Sequence, residues 1–112
     1  MLTGLKHLAL NQVTIYNSNH ISLDNLTNLT SLFLEVRFKV ENIPSSVTRL
    51  EVFKYPHQMP TLVNVLEFRA RNHVRNLSCF PNLTELNIDR EYDLSKLTKL
   101  KKLTCNGIVT YF

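Results

Sequence analysis

The chain has 112 residues, 44% of them hydrophobic and 20% charged, with a formal net charge of +4, two glycines and four prolines. That apolar content with so little Gly and Pro excludes a disordered or low-complexity chain and suits a single domain over residues 1–112. No apolar run reaches the roughly 18 residues a membrane span needs, and the first twenty residues lack the basic-then-apolar order of a secretory signal, so a soluble protein with no membrane role is expected.

From the N-terminus, one phrase recurs. It reads Leu2-x-x-Leu5-x-x-Leu8-x-Leu10, then Leu26-x-x-Leu29-x-x-Leu32-x-Leu34. Two variants follow, Ile43-Pro44-x-x-Val47-x-x-Leu50-x-Val52 and Met59-Pro60-x-x-Val63-x-x-Leu66-x-Phe68. The phrase returns as Phe80-x-x-Leu83-x-x-Leu86-x-Ile88 and Leu97-x-x-Leu100-x-x-Leu103-x-Cys105. Short-period self-similarity means that no unit buries its apolar face alone, so the units must stack. With Leu8, Leu32, Leu50, Leu66, Leu86 and Leu103 opening the strands, the steps are an irregular 24, 18, 16, 20 and 17 residues.

The last two apolar residues of each phrase stand two apart, as one face of a strand demands, so Leu8 with Leu10 and Leu50 with Val52 point inward. Outward residues then form three ladders across parallel strands about 4.8 Å apart. The first is His7, Ser31, Arg49, Val65, Glu85 and Lys102; the central one is Ala9, Phe33, Glu51, Glu67, Asn87 and Thr104; the third is Asn11, Glu35, Phe53, Arg69, Asp89 and Asn106. The returns between strands are too short for helices with corners, so extended or 3₁₀ backbone is expected, with room for one helical turn around Asn17 to Asn25. Leu2 and Leu5 open in mid-phrase and Ile108, Val109, Tyr111 and Phe112 close on apolar residues. With no polar cap at either end, the expectation is a fragment of a longer array, or a chain that self-associates through exposed array ends.

These phrases resemble the leucine-rich repeat family, whose signature ends in L-x-x-L-x-L. Repeats one and six match beyond the leucines, Leu2, Thr3, Leu5, Lys6, Leu8 and Asn11 recurring as Leu97, Thr98, Leu100, Lys101, Leu103 and Asn106. Leu26-Thr27-Asn28-Leu29 is similar to internalin and phosphatase-regulator repeats, and Ile43-Pro44-Ser45-Ser46 to the proline-bearing repeats of protist families. The slot that holds the family's asparagine or cysteine carries Val13, Arg37, Tyr55, Arg71, Glu91 and Ile108, a departure from the family pattern. The resemblance implies a leucine-rich repeat solenoid, a short curved right-handed coil. A parallel β-sheet of about six strands would line its concave face, with irregular or 3₁₀ returns and little α-helix. It also implies protein recognition through that face.

No enzyme is visible. His7, His20, His57 and His73 lack metal-site spacing, no glycine-rich phosphate loop exists, and no nucleophile motif occurs, so no catalytic residue, metal, cofactor or small-molecule substrate is expected. The sequons at Asn25, Asn28, Asn76 and Asn82 follow from what the repeat phrase spells. Cys79 and Cys105 make no disulfide framework, and Cys105 should be a buried small hydrophobe, which favours the cytoplasm over a secreted or cell-surface address. Lys96, Lys99, Lys101 and Lys102, with Arg69, Arg71 and Arg75, keep a nucleic-acid surface as a lesser alternative. The candidate partner-binding patch is Phe33, Glu35, Arg49, Glu51, Phe53, Glu67 and Arg69, two outward aromatics within a charged surround. In this reading Glu51 and Glu67 fall side by side, with Arg49 and Arg69 on the diagonals; the competing reading of the same residues is a solvated ion-pair lattice.

Overall fold

The computed structural model describes residues 4–11, 20–71 and 77–112. In chain order the strands are β1 (His7–Asn11), β2 (His20–Ser22), β3 (Ser31–Glu35), β4 (Lys39–Glu41), β5 (Arg49–Phe53), β6 (Glu67–Arg71), β7 (Glu85–Ile88), β8 (Lys102–Cys105) and β9 (Ile108–Tyr111). One sheet runs β1-β3-β5-β6-β7-β8-β9, parallel throughout except for the antiparallel β8–β9 pair, and β2 and β4 form a separate parallel pair. There is no helix among the described residues. The chain is thus a solenoid of stacked parallel strands, elongated to 42 × 25 × 21 Å.

The alternation of side chains explains the strands. In β3, β5 and β6 every second residue is buried and its neighbours are not. The inward column runs Leu32, Leu50, Phe68 and Leu86, and beside it Leu34, Val52, Ala70 and Ile88, all within one continuous core. Phe80 reaches the same core from the return side, its ring centroid 4.3 Å from that of Phe68.

The fourth repeat departs from the frame expected above. Leu50 pairs with Phe68, not with Leu66, and Phe68 pairs with Leu86. The steps between strand-opening residues therefore become 24, 18, 18, 18 and 17, and the irregularity in the middle of the chain disappears. Val65 fills the buried slot assigned to Val63, while Val63 and Leu66 are 51% and 40% exposed. A slip of two residues keeps every side chain on its own face, which is why the inward and outward assignments survive. It moves each outward residue one rung along the strand, so Glu67 replaces Val65 on the first ladder, Arg69 replaces Glu67 on the central one, and Arg71 replaces Arg69 on the third.

A polar spine runs alongside the leucines and fixes this register. The carbonyl of Lys6 accepts the N–H groups of Thr30 and Ser31; that of Thr30 accepts Thr48 and Arg49; Thr48 accepts Leu66 and Glu67; Leu66 accepts Thr84 and Glu85; Thr84 accepts Lys101 and Lys102, all at 2.8–3.1 Å. Thr30, Thr48 and Thr84 add their hydroxyls to the same carbonyls at 3.2, 3.5 and 3.1 Å. Leu66 occupies this threonine slot and is 40% exposed.

The returns are chains of tight turns. Leu26 and Leu29 donate to Leu23 and Leu26, Val47 to Pro44, Phe80 to Leu77, and Leu97 and Leu100 to Leu94 and Leu97. A second polar ladder clamps these turns, with Asn64 donating to the Ser45 carbonyl, Asn82 to that of Val63, and Lys99 to the Asn82 side chain, at 2.8–2.9 Å. In the long first step, His20–Ser22 is extended as β2 and continues into a turn at Asp24 and Asn25, so no helix forms between His20 and Asn25; Asn17 to Asn19 lie outside the described residues.

At the C-terminal end, Asn106 and Gly107 take positive φ of 51° and 80° and reverse the chain. Two successive left-handed residues are what a two-residue type I′ hairpin requires, and Asn-Gly meets that need. The last strand thus lies antiparallel on β8, with Cys105 opposite Ile108 and Lys102 opposite Tyr111. Asn106 is a turn residue, not a ladder rung. Cys105 faces inward but stays half-buried, its thiol 3.6 Å from the Arg90 carbonyl, because among the described residues only the hairpin strand β9 lies beyond β8.

Candidate functional site: the outward face of the parallel sheet

The outward residues of β3 to β8 form one continuous surface. On the rung below the spine run Ser31, Arg49, Glu67, Glu85 and Lys102; on the next run Phe33, Glu51, Arg69, Asn87 and Thr104. On the third, Phe53 stands opposite Arg71. Strand alternation alone puts all of them outside, since their immediate neighbours are the inward-facing apolar residues.

The slip in register changes the electrostatics of this surface. Glu51 and Glu67 do not share a rung. Arg49 stands opposite Glu67 with Nε to Oε2 at 3.6 Å, and Glu51 stands opposite Arg69 with Oε1 to Nε at 3.5 Å. The two crossed pairs make a square of alternating charge. Each pair lies at the long end for a charge-assisted contact, and the Arg69 Nε has no hydrogen-bond acceptor at proper geometry although it is shielded from solvent. Opposite charges on neighbouring rungs and half-exposed contribute about 0.2–1 kcal/mol each.

Around that square the groups differ. The like pair on this surface is Glu67 and Glu85, neighbours on the first ladder, flanked by Arg49 on one side and Lys102 on the other. Phe33 adjoins Ala9 and Glu51 and is half-buried. Phe53, also half-buried, carries the Lys54 ammonium 5.3 Å from its ring centroid, a cation–π contact made from a residue with φ of 54°. Glu35 closes the end of β3 opposite Asn11.

Of the seven residues expected to form a patch, the structure brings Arg49, Glu51, Glu67 and Arg69 into direct contact and sets Phe33 against Glu51. Phe53 and Glu35 occupy the third rung. Glu85, Asn87, Lys102 and Thr104 line the same open groove and were not among the seven, although the ladders drawn from periodicity contained all four. Charge and aromatic content pointed to β3, β5 and β6, and the groove lies over β5 to β8.

The remaining chemistry is sparse. Among the described residues no three His, Cys, Asp or Glu side chains are placed to hold a metal ion. Burial pushes the Cys79 thiol up to about 11, so thiolate is scarce at neutral pH and Cys79 is a poor nucleophile. Lys99 is held on the turn side by Asn82 and Lys102 lies on the sheet face, so the C-terminal lysines do not share one surface.

Fold and site together define a repeat protein built as a parallel-strand solenoid, with a charged and aromatic strand face. No family model matches the chain, nor does any curated protein or solved structure.

Proposed function

We propose that the chain is a leucine-rich repeat solenoid that acts, without catalysis, as a protein-recognition module in the cytoplasm. Its partner lies along the strand face, which the leucine-rich repeat reading makes the concave side of the coil. The observation that carries this reading is the pair of half-buried aromatics, Phe33 and Phe53, set beside the Arg49–Glu67 and Glu51–Arg69 pairs. Aromatic and arginine side chains supply most of the binding energy in protein interfaces, and a rim of paired charges sets orientation and discriminates partners. The cysteines are thiols, in keeping with a reducing compartment.

The test compares proteins retained by immobilised wild-type chain with those retained by Phe33→Ala with Phe53→Ala, and by Arg69→Ala. Any partner of this face should lose about tenfold or more in affinity to each variant, while circular dichroism and melting stay near wild type. Partners held equally by all three proteins would remove the strand face from the function. Surface variants that unfold the chain as readily as Leu50→Ala would make the aromatic cluster structural.

A further inference from the structure

Four of the six large apolar side chains exposed on the described surface fall within five residues, Ile108 at 72%, Val109 at 45%, Tyr111 at 74% and Phe112 at 70%. Three of them belong to β9 and Phe112 directly follows it; among the described residues no strand lies against the outer edge of β9. From Leu103 to Phe112 there is no charged residue and no proline. Edge strands in soluble proteins are ordinarily blunted by such residues, because a bare row of N–H and C=O groups recruits another strand. Beneath β9 the core is also open, with Leu103 and Cys105 only half-buried.

Hydrogen bonding across the hairpin fixes which groups face that edge. Phe112 donates its N–H to the Lys101 carbonyl at 2.9 Å, and the pairs Leu103–Thr110 and Cys105–Ile108 share its parity. Antiparallel pairs alternate between bonded and non-bonded, so the N–H and C=O groups of Val109 and Tyr111 are the ones that point outward from the sheet edge.

The geometry points to a second copy of this chain as the occupant of that edge, joined through β9 about a two-fold axis. An antiparallel strand is self-complementary, which a two-fold contact requires. With Thr110 on the axis, Val109 of each copy lies opposite Tyr111 of the other. All outward-pointing backbone groups of both residues are then satisfied. A register centred on Val109 would set Tyr111 against Gly107, whose φ of 80° takes it out of strand conformation. The Thr110 register also pairs Ile108 with Phe112 of the other copy on the core side, so each side-chain pair except the central threonines joins an aliphatic to an aromatic group. The two seven-stranded sheets become continuous and the open ends of the two cores cover each other.

The contact is small. Four apolar side chains and one edge place it below about 1,200 Å² of total buried surface, the range of reversible association. It does not depend on the partner-recognition reading.

Sedimentation of the wild-type chain from about 1 μM to about 1 mM, where an interface of this size dissociates, should show monomer passing to dimer and no further. The outward-facing double variant Val109→Lys with Tyr111→Lys should raise the dimer dissociation constant at least about tenfold, since charge on an edge opposes pairing. Thr110→Cys should form a covalent dimer on mild oxidation far faster than Val109→Cys. The two Thr110 Cα atoms lie about 4.5 Å apart across the axis, within the range a disulfide accepts. Wild type, oxidised alongside, accounts for Cys79 and Cys105. A chain that remains monomeric throughout, one that grows past dimer by stacking end on end, or equal cross-linking of the two cysteine variants would each overturn the proposal.

Discussion

Coils in the middle of the stack and coils at its ends carry the same leucine phrase and reach different burial. Leu32, Leu50, Phe68 and Leu86 are at most 2% exposed, whereas Leu8 and Leu103, in the same slot of the outermost parallel strands, stay half-buried. The residue type is nearly constant along that column, so burial here is set by neighbours. Among the described residues an inner coil has a full coil on each side and an end coil on one, β8 having only the single strand β9 beyond it, and in such a stack stability is a sum of unit and nearest-neighbour contributions.

That contrast can be broken most sharply at its centre. Leu50→Ala leaves a cavity between two coils and should cost about 2–5 kcal/mol in urea unfolding. Leu103→Ala removes the same atoms from the last parallel strand, and because only part of that side chain leaves water on folding, a loss of roughly 1–2 kcal/mol is expected. Equal losses at the two positions would show that the ends are covered as well as the middle.

The outward face offers a finer test of how the middle coils align. Replacing Glu51 by Arg opposes it to Arg69 and should destabilise by about 1 kcal/mol, and the further change Arg69→Glu should restore most of that loss, as a direct cross-strand pair requires. Were Glu51 opposite Glu67, the first change would turn a like-charge pair into an opposite one and bring no loss. The smallest effect is expected at Leu66. Leu66→Thr places a hydroxyl in the slot where Thr30, Thr48 and Thr84 bond the preceding coil, so stability should stay within about 0.5 kcal/mol of wild type while exposed apolar surface falls.

Much of the fold was legible before any coordinates. The two-residue spacing of Leu32 with Leu34, Leu50 with Val52 and Leu86 with Ile88 pointed to the strands, their inward faces and their parallel stacking, and the short returns forecast little helix, of which the described residues contain none. What misled was the fourth repeat. Val63 and Leu66 are apolar at exposed positions while Ala70 is a small residue at an inward one, so counting large apolar residues favoured a frame two positions early. The threonine slot held better information. Aligning Val65-Leu66-Glu67-Phe68 with Val47-Thr48-Arg49-Leu50 would have made the step 18 and opposed glutamate to arginine. The error then carried into the site, turning two ion pairs into a repulsive pair.

The C-terminal strand was missed for another reason. Asn106-Gly107 is a strong local hairpin signal, but a reading tuned to a repeating phrase treated Asn106 as one more rung. Half-burial of Cys105 was likewise out of reach, because it depends on which coil follows in space.

The central claim is the register of the middle coils, and nuclear Overhauser contacts between side chains test it most directly. In the stack described, the Phe68 ring lies between the methyl groups of Leu50 and Leu86, and strong contacts to both are expected with none between Leu50 and Leu66. Contacts joining Leu50 to Leu66 and Val52 to the Phe68 ring would contradict the account, and with it the charge pairs on the outward face.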